Sequence, residues 1–332
     1  MDLAIETVNL TKRFQKAKSY REMLLRPFAK QDITALRNVS LSVKAGETFA
    51  LVGPNGAGKT TLIKILSTLI LPTAGDAFVA GHEVKRQPAE IKRRIGCVVA
   101  EERSFYWRLT GRQNLNFFAV LNNIPKAAVK ERVDEVIAQV GLERHADKAF
   151  KAYSTGMKQR LAIGRALLAD PEIVLFDEPT KSLDRPTAQL IRGLIADFAT
   201  RMPKRTVFFA THDLQEAEEL AGRLALLDCG ELKACGTPAE LRRAICERKR
   251  YTLRLRQPNE RVANVLRQFA TAGQPAGTRT VEGTCFLVEI TNTGDISSVI
   301  RELVQAGAQI VECTPVKPSL GEVFDFLTRG GT

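Results

Sequence analysis

Apolar and polar positions along the chain follow two recurring patterns. Three short runs, "TFALVG", "IVLFDE" and "TVFFAT", are apolar almost throughout and are bounded by turn or charged residues. Strands buried on both faces read this way, and parallel sheets are built from them. Between these runs the spacing becomes helical. In "ERVDEVIAQVGLE", Val133, Val136, Ile137 and Val140 share one face and Gly141 stands where a helix C-cap belongs. In "TLIKILSTLILP", Leu62, Ile65, Leu66 and Leu69 do the same, predicting a helix that stops before Pro72. Such alternation predicts an α/β domain.

After "GTPAELRRAI" the texture changes. "RYTLRLR" alternates as a half-buried strand does, and "RVANVLRQFA" places Val262, Val265, Leu266 and Phe269 on one helical face. "CFLVEI" reads as a strand, "ISSVIRELVQAG" as a helix and "AQIVECTP" as a strand. With one more strand near "TRTVEG", the order is βαββαβ, a small α+β ferredoxin-like domain. The expected division is therefore residues 1–245 and 248–332, joined by the basic segment "CERKRY".

Composition narrows the class. With 332 residues, 44% hydrophobic and 26% charged, the chain can bury a substantial core as a soluble protein. No apolar run approaches the roughly 18 residues that span a bilayer, and the first residues lack a signal-peptide pattern, so the expected compartment is the cytoplasm. Six cysteines without a CxxC pair, beside three histidines, make no zinc constellation and are expected to be reduced thiols. The formal charge of +12 points to a polyanionic neighbour, either nucleic acid or an anionic membrane surface, or simply to a solvated basic face.

The candidate chemistry begins at "GPNGAGKTT", comprising Gly53, Pro54, Asn55, Gly56, Ala57, Gly58, Lys59, Thr60 and Thr61. It fits G-x-x-x-x-G-K-[ST] and lies between a predicted strand and a predicted helix, the context that makes the motif specific. Glycines let backbone N–H groups turn towards phosphate oxygens, Lys59 reaches the β and γ phosphates, and Thr60 offers a hydroxyl to Mg²⁺. "IVLFDEPT" supplies a strand ending in Asp177, placed to hold the magnesium shell, and then Glu178, a candidate general base for water attacking a γ-phosphate.

Further residues carry a family resemblance. "YSTGMKQRL" at 153–161 resembles the LSGGQ signature of ATP-binding cassette (ABC) proteins, keeping Ser154 and Gly156 but replacing Leu, Gly and Gln by Tyr153, Thr155 and Met157. "SLD" resembles the D-loop and contributes Asp184; "ATHD" places His212 where the family has its switch histidine; "TKRF" ends in Phe14, matching the aromatic that stacks on adenine. These motifs occur in family order over about the first three quarters of the chain. The resemblance implies a P-loop ABC-type nucleotide-binding domain with a helical subdomain, using ATP and Mg²⁺. It also implies a head-to-tail dimer in which each ATP lies between one chain's P-loop and the other's signature. One P-loop and one signature per chain make a second copy of this chain the simplest partner.

The arrangement, together with the ending "PSLGEVF", is similar to ATPase subunits of exporters whose permease is a separate integral membrane chain, which implies a peripheral place on the cytoplasmic face of the membrane. DNA-maintenance relatives carry a long coiled coil and translation-associated ones usually two cassettes. Neither feature is found here, which argues against the alternative of a soluble ABC ATPase acting on nucleic acid or the ribosome. A third reading, a cassette that binds ATP without hydrolysing it, is opposed by Lys59, Asp177, Glu178 and His212 being present together.

Two stretches depart from the family pattern. About twenty residues, 15–34, separate Phe14 from "ALRNVSL"; their basic and apolar composition suits a membrane interface or a surface helix packed on the cassette. In "VVAEERSFYWRLTG", the family usually has a glutamine that joins the magnesium site. Counting back from "LTGRQNL" puts Glu101 there, and counting forward from "RIG" puts Ala100; only Glu101 could do polar work. Phe105, Tyr106 and Trp107 cannot all face one way, so at least one is expected in the core and one on a surface that receives the permease.

Overall fold

The computed structural model describes residues 2–15, 32–99, 105–200, 205–245, 248–256, 259–269, 278–280, 283–291, 296–316 and 318–329. They pack as two compact units, Met1–Pro238 and Ala239–Thr332. The division falls ahead of "CERKRY", so the helix Pro238–Ile245 goes, from Ala239 on, with the second unit.

In the first unit, β1 (Leu3–Gln15) and β2 (Asp32–Lys44) pair antiparallel, with Gln15 opposite Asp32. The segment 16–31, which carries nearly all of the predicted insertion, lies outside the described residues. With β4 (Ala74–Val79) and β5 (His82–Glu83) they form a sheet in the order β2-β1-β4-β5. The central sheet combines β3 (Thr48–Val52), β6 (Ile95–Val98), β7 (Ile173–Asp177), β8 (Thr206–Thr211), β9 (Arg223–Asp228) and β10 (Glu231–Gly236), in the order β10-β9-β3-β8-β7-β6. All its pairs are parallel except β9 with β10. The three apolar runs of the sequence are β3, β7 and β8, side by side in this sheet, and β7 and β8 are buried along their whole length. Parallel strands covered on both faces demand such runs.

Helix α1 (Lys59–Leu66) buries Leu62, Ile65 and Leu66, as its spacing predicts, but it stops short of Leu69. Thr68 adopts a left-handed φ of 60°, and the Leu69 and Ile70 amides both turn back to the Lys64 carbonyl at 2.8 and 3.2 Å. That closure swings Leu69 out of the apolar stripe, leaving it 59% exposed. Helix α2 (Pro88–Arg94) precedes β6. Three helices that pack on one another follow: α3 (Gly111–Leu121), started by a capping box between Thr110 and Gln113, α4 (Lys126–Gln139) and α5 (Thr155–Leu167). Val133, Val136 and Ile137 form the buried face of α4, and Gly141 takes the positive φ of 64° that ends it. α6 (Arg185–Thr200) and α7 (Leu214–Leu220) complete the described α-helices of this unit.

The second unit contains α8 (Pro238–Ile245), β11 (Arg248–Arg256), α9 (Glu260–Phe269), β12 (Thr278–Thr280), β13 (Gly283–Thr291), α10 (Ile296–Gln305), β14 (Gln309–Val316) and α11 (Leu320–Arg329). Its sheet is antiparallel throughout, in the order β12-β13-β11-β14, the ferredoxin-like arrangement. Leu253 and Leu255 alternate along β11 and meet Val262, Leu266, Val299 and Leu303 from α9 and α10 in one apolar cluster. Arg242 of α8 donates to the Pro318 carbonyl just before α11, 2.9 Å away.

Candidate functional site

The site is built where β3, β8 and β7 end. Adjacent parallel strands bring their C-terminal ends together, with Val52 in register with Thr211 and Asp177 with Ala210. The loop after β3 leads directly into α1, and two of its glycines are irreplaceable on steric grounds. A Cβ at Gly53 would lie 2.1 Å from the Leu227 carbonyl oxygen; Gly58, at φ 107°, would put one 2.4 Å from that of Ala35. Pro54, Asn55 and Gly56 are exposed and Ala57 is buried beneath them. The first intrahelical bond is donated by Leu62 to Gly58, so the amides of Lys59, Thr60 and Thr61 form the open, electropositive first turn.

Lys59 is buried, 5% exposed, and folds back over its own loop, donating to the carbonyls of Gly53 at 2.7 Å and Pro54 at 3.1 Å. Its ammonium is also 3.2 Å from Glu178 Oε1, whose side chain is 8% exposed. The other Glu178 oxygen meets His212 Nδ1 at 2.5 Å, with Lys181 Nζ at 4.0 Å. Glu178 holds a left-handed φ of 52°, rare for a side chain of this size, while its N–H donates to the Ala210 carbonyl at 2.9 Å. The Thr60 hydroxyl donates to Asp177 Oδ1 at 3.1 Å. Burial pushes the Asp177 carboxyl above its ordinary range, against the Thr60 hydrogen bond; neighbouring Glu178 pushes it the same way.

Other predicted residues lie around this cluster. Ser154 caps α5, its hydroxyl accepting from Met157 N at 3.3 Å. Gly156 packs so closely on α6 that a Cβ would sit 2.4 Å from Thr187 Cγ2. Asp184 is exposed and its carbonyl receives the Ala188 amide in the first turn of α6. Phe14 is an exposed residue of β1, with the Lys12 ammonium 5.0 Å above its ring. Glu101 lies outside the described residues. Phe105 turns inward against Phe150 and Phe118, at centroid distances of 4.9 and 5.6 Å, and Arg165 covers the rings of Phe105 and Phe118. Tyr106 and Trp107 face outward, Trp107 at 70% exposure.

Sequence reasoning passed over Glu216 and Gln159. Glu216, 1% exposed on α7, accepts hydroxyl hydrogen bonds from Thr180 and Thr211, both at 2.6 Å. Gln159 of α5 donates to the Pro179 carbonyl at 3.0 Å. In "DLQEAEEL" Glu216 looks like one more solvated acid of a polar helix. Only its place beside the buried Ala217 hints otherwise.

A glycine loop between a buried strand and a helix start, with a lysine and a carboxylate at adjacent strand ends, defines a P-loop nucleotide hydrolase. A sequence model described as ABC transporter matches residues 36–181. The daunorubicin resistance ATP-binding protein DrrA3 of Streptomyces coeruleorubidus is 34% identical over 90% of this chain and 92% of its own length. The ABC transporter ATP-binding protein NatA of Bacillus subtilis is 34% identical over 61% of this chain and 82% of its own. Among solved structures, a dimeric post-hydrolysis state of an ATP-binding cassette bound to ADP and Pi is similar with a TM-score of 0.61 and 28% identity, over 70% of this chain and 98% of that one. The chain belongs to the family of ABC transporter ATP-binding proteins. It is an ATPase of the kind that powers transport; cassettes of this family dimerise and work with membrane permeases. Among the described residues no helix is long and apolar enough to cross a membrane.

Proposed function

We propose that this chain is the ATP-hydrolysing subunit of an exporter, acting as a homodimer on the cytoplasmic face of a membrane beside a separate permease chain. Relatives named for resistance to daunorubicin, doxorubicin and linearmycin support export. The observation that carries the hydrolytic reading is the continuous contact from Lys59 through Glu178 to His212 at the strand ends.

Lys59 and the first-turn amides of α1 bind the β and γ phosphates. Glu178 accepts the proton of the water that attacks the γ-phosphorus; the bond from that phosphorus to the bridging oxygen breaks, and ADP leaves with inorganic phosphate. His212, donating from Nδ1, orients the Glu178 carboxylate. The Thr60 hydroxyl and Asp177 carboxyl, already within hydrogen-bond distance, are hard oxygen donors suited to Mg²⁺, which completes its shell with waters and phosphates and needs no all-protein cage. Bound there, the ion would neutralise phosphate charge. Phe14 offers a face to adenine, and Ser154 and Gly156 of the second copy close the site over the γ-phosphate. Tyr106 and Trp107 belong to the face that receives the permease.

Phosphate release by the purified protein, measured against Glu178→Gln, tests the reading. Loss of turnover with retained ATP binding is expected; hydrolysis by Glu178→Gln at the wild-type rate would remove Glu178 as the base.

A further inference from the structure

Among the described residues the mechanism leaves one fully buried acid without a task. Glu216 sits on α7, and its two carboxyl oxygens reach to different strand ends: Oε1 takes the Thr180 hydroxyl and Oε2 the Thr211 hydroxyl, each at 2.6 Å. Thr180 is two residues beyond Glu178, and Thr211 directly precedes His212. One side chain thus ties together the two loops that present Glu178 and His212 to each other. The tie is itself braced. Asp213 Oδ1 accepts from the amides of Gln215 and Glu216, fixing the start of α7, and the Thr211 hydroxyl, while donating to Glu216, accepts from the Asp213 amide at 3.0 Å.

Glu178 needs such restraint. A non-glycine residue at φ 52° persists only where the surroundings over-determine its backbone. From the other side Gln159 holds the Pro179 carbonyl, so the turn after Glu178 is gripped on both flanks. Burying a carboxyl costs free energy unless its oxygens are hydrogen-bonded, and here both are. We propose that Glu216 is a positioning residue for ATP hydrolysis, setting the Glu178–His212 contact through Thr180 and Thr211 without touching nucleotide. The proposal rests on Glu178 acting as the general base.

The test is steady-state ATP hydrolysis by the full-length protein carrying Glu216→Leu, Glu216→Gln or Thr180→Val, each also made in a His212→Ala background. Thr180→Val cuts the same bond from the opposite side and leaves α7 intact, which guards against a Glu216 variant that folds poorly. Loss of a supporting partner of this type costs about 10- to 100-fold in activity. Glu216→Leu and Thr180→Val are expected to lower kcat on that scale with the KM for ATP unchanged. Glu216→Gln recovers most of it, because rotating the threonine hydroxyls lets an amide keep both contacts. In the His212→Ala background the further loss shrinks towards nothing, since residues acting through one contact are not additive. An unchanged kcat in Thr180→Val, or equal losses with and without His212, would overturn the proposal while leaving the base intact. Wild-type turnover by Glu178→Gln would instead refute the base reading on which it rests.

Discussion

The two units of this chain fold by different rules and bury different things. In the cassette, among the described residues, Lys59, Asp177 and Glu216 are buried together with several threonines, and every non-glycine residue at positive φ belongs to this unit. In the ferredoxin-like unit every buried side chain described is apolar. The difference follows from sheet type. Parallel strands all point their C-terminal ends the same way, so loops from β3, β7 and β8 converge and polar groups can satisfy one another below the surface. An antiparallel sheet covered by helices on one face sends successive loops to opposite ends, and its stability rests on an apolar layer. Chemistry collects in the unit that tolerates buried charge and backbone strain.

The sharpest way to break this contrast is to disable one group in the cassette. Replacing a catalytic base commonly costs about 10²- to 10⁴-fold, and Glu178→Gln is expected to lose phosphate release on that scale. It retains ATP binding by equilibrium dialysis. Next in size, Ser154→Arg in the Glu178→Gln protein should abolish MgATP-driven dimerisation in sedimentation velocity while sparing nucleotide binding; a dimer forming as before would detach the α5 terminus from the interface.

Equal apolar truncations sharpen the comparison. Leu175 in β7 and Leu255 in β11 are both fully buried, and Leu→Ala at such sites costs about 2–5 kcal/mol. Leu175→Ala should lower the melting temperature and take ATPase activity with it. Leu255→Ala should destabilise only its own unit, with turnover at 25 °C near wild type. If hydrolysis falls equally in both, the two units are not functionally separable.

Titration gives smaller effects. Burial pushes the Cys97 thiol from 9.0 up to about 11, despite a hydrogen bond from Ser67. The folded state therefore keeps a proton that the unfolded state has lost, and stability falls as pH rises from 9 to 11, by of order 1 kcal/mol per pH unit. Denaturant midpoints of Cys97→Ala should be flatter across that window. Asp177, raised chiefly by burial, stabilises the cassette in its protonated form below the ordinary carboxylate range, and this contribution is lost as pH rises through its elevated value. At neutral pH the ionised group is a liability in the nucleotide-free protein. Asp177→Asn should thus raise the melting temperature slightly while weakening Mg²⁺-dependent ATP binding.

Much of this was legible in the residues themselves. Continuous apolar runs marked β3, β7 and β8, a 3.6-residue period marked α4, and alternation marked β11, because burial imposes those periods on neighbouring positions whatever the rest of the chain does. The P-loop was legible for the same reason: a tight turn, a helix start and a lysine are local requirements. Tertiary structure alone decided where α1 stops, since the choice between a further helical turn and the left-handed Thr68 depends on what Leu69 can pack against. It also decided that Phe105 turns inward while Trp107 faces out, and that Glu216 is buried between Thr180 and Thr211 rather than solvated. The last of these depends on the strand order β3-β8-β7, which brings Val52, Asp177 and Thr211 to one edge from distant parts of the chain. Local periodicity carries no record of that order, because a contact between strand ends is a property of the packed sheet.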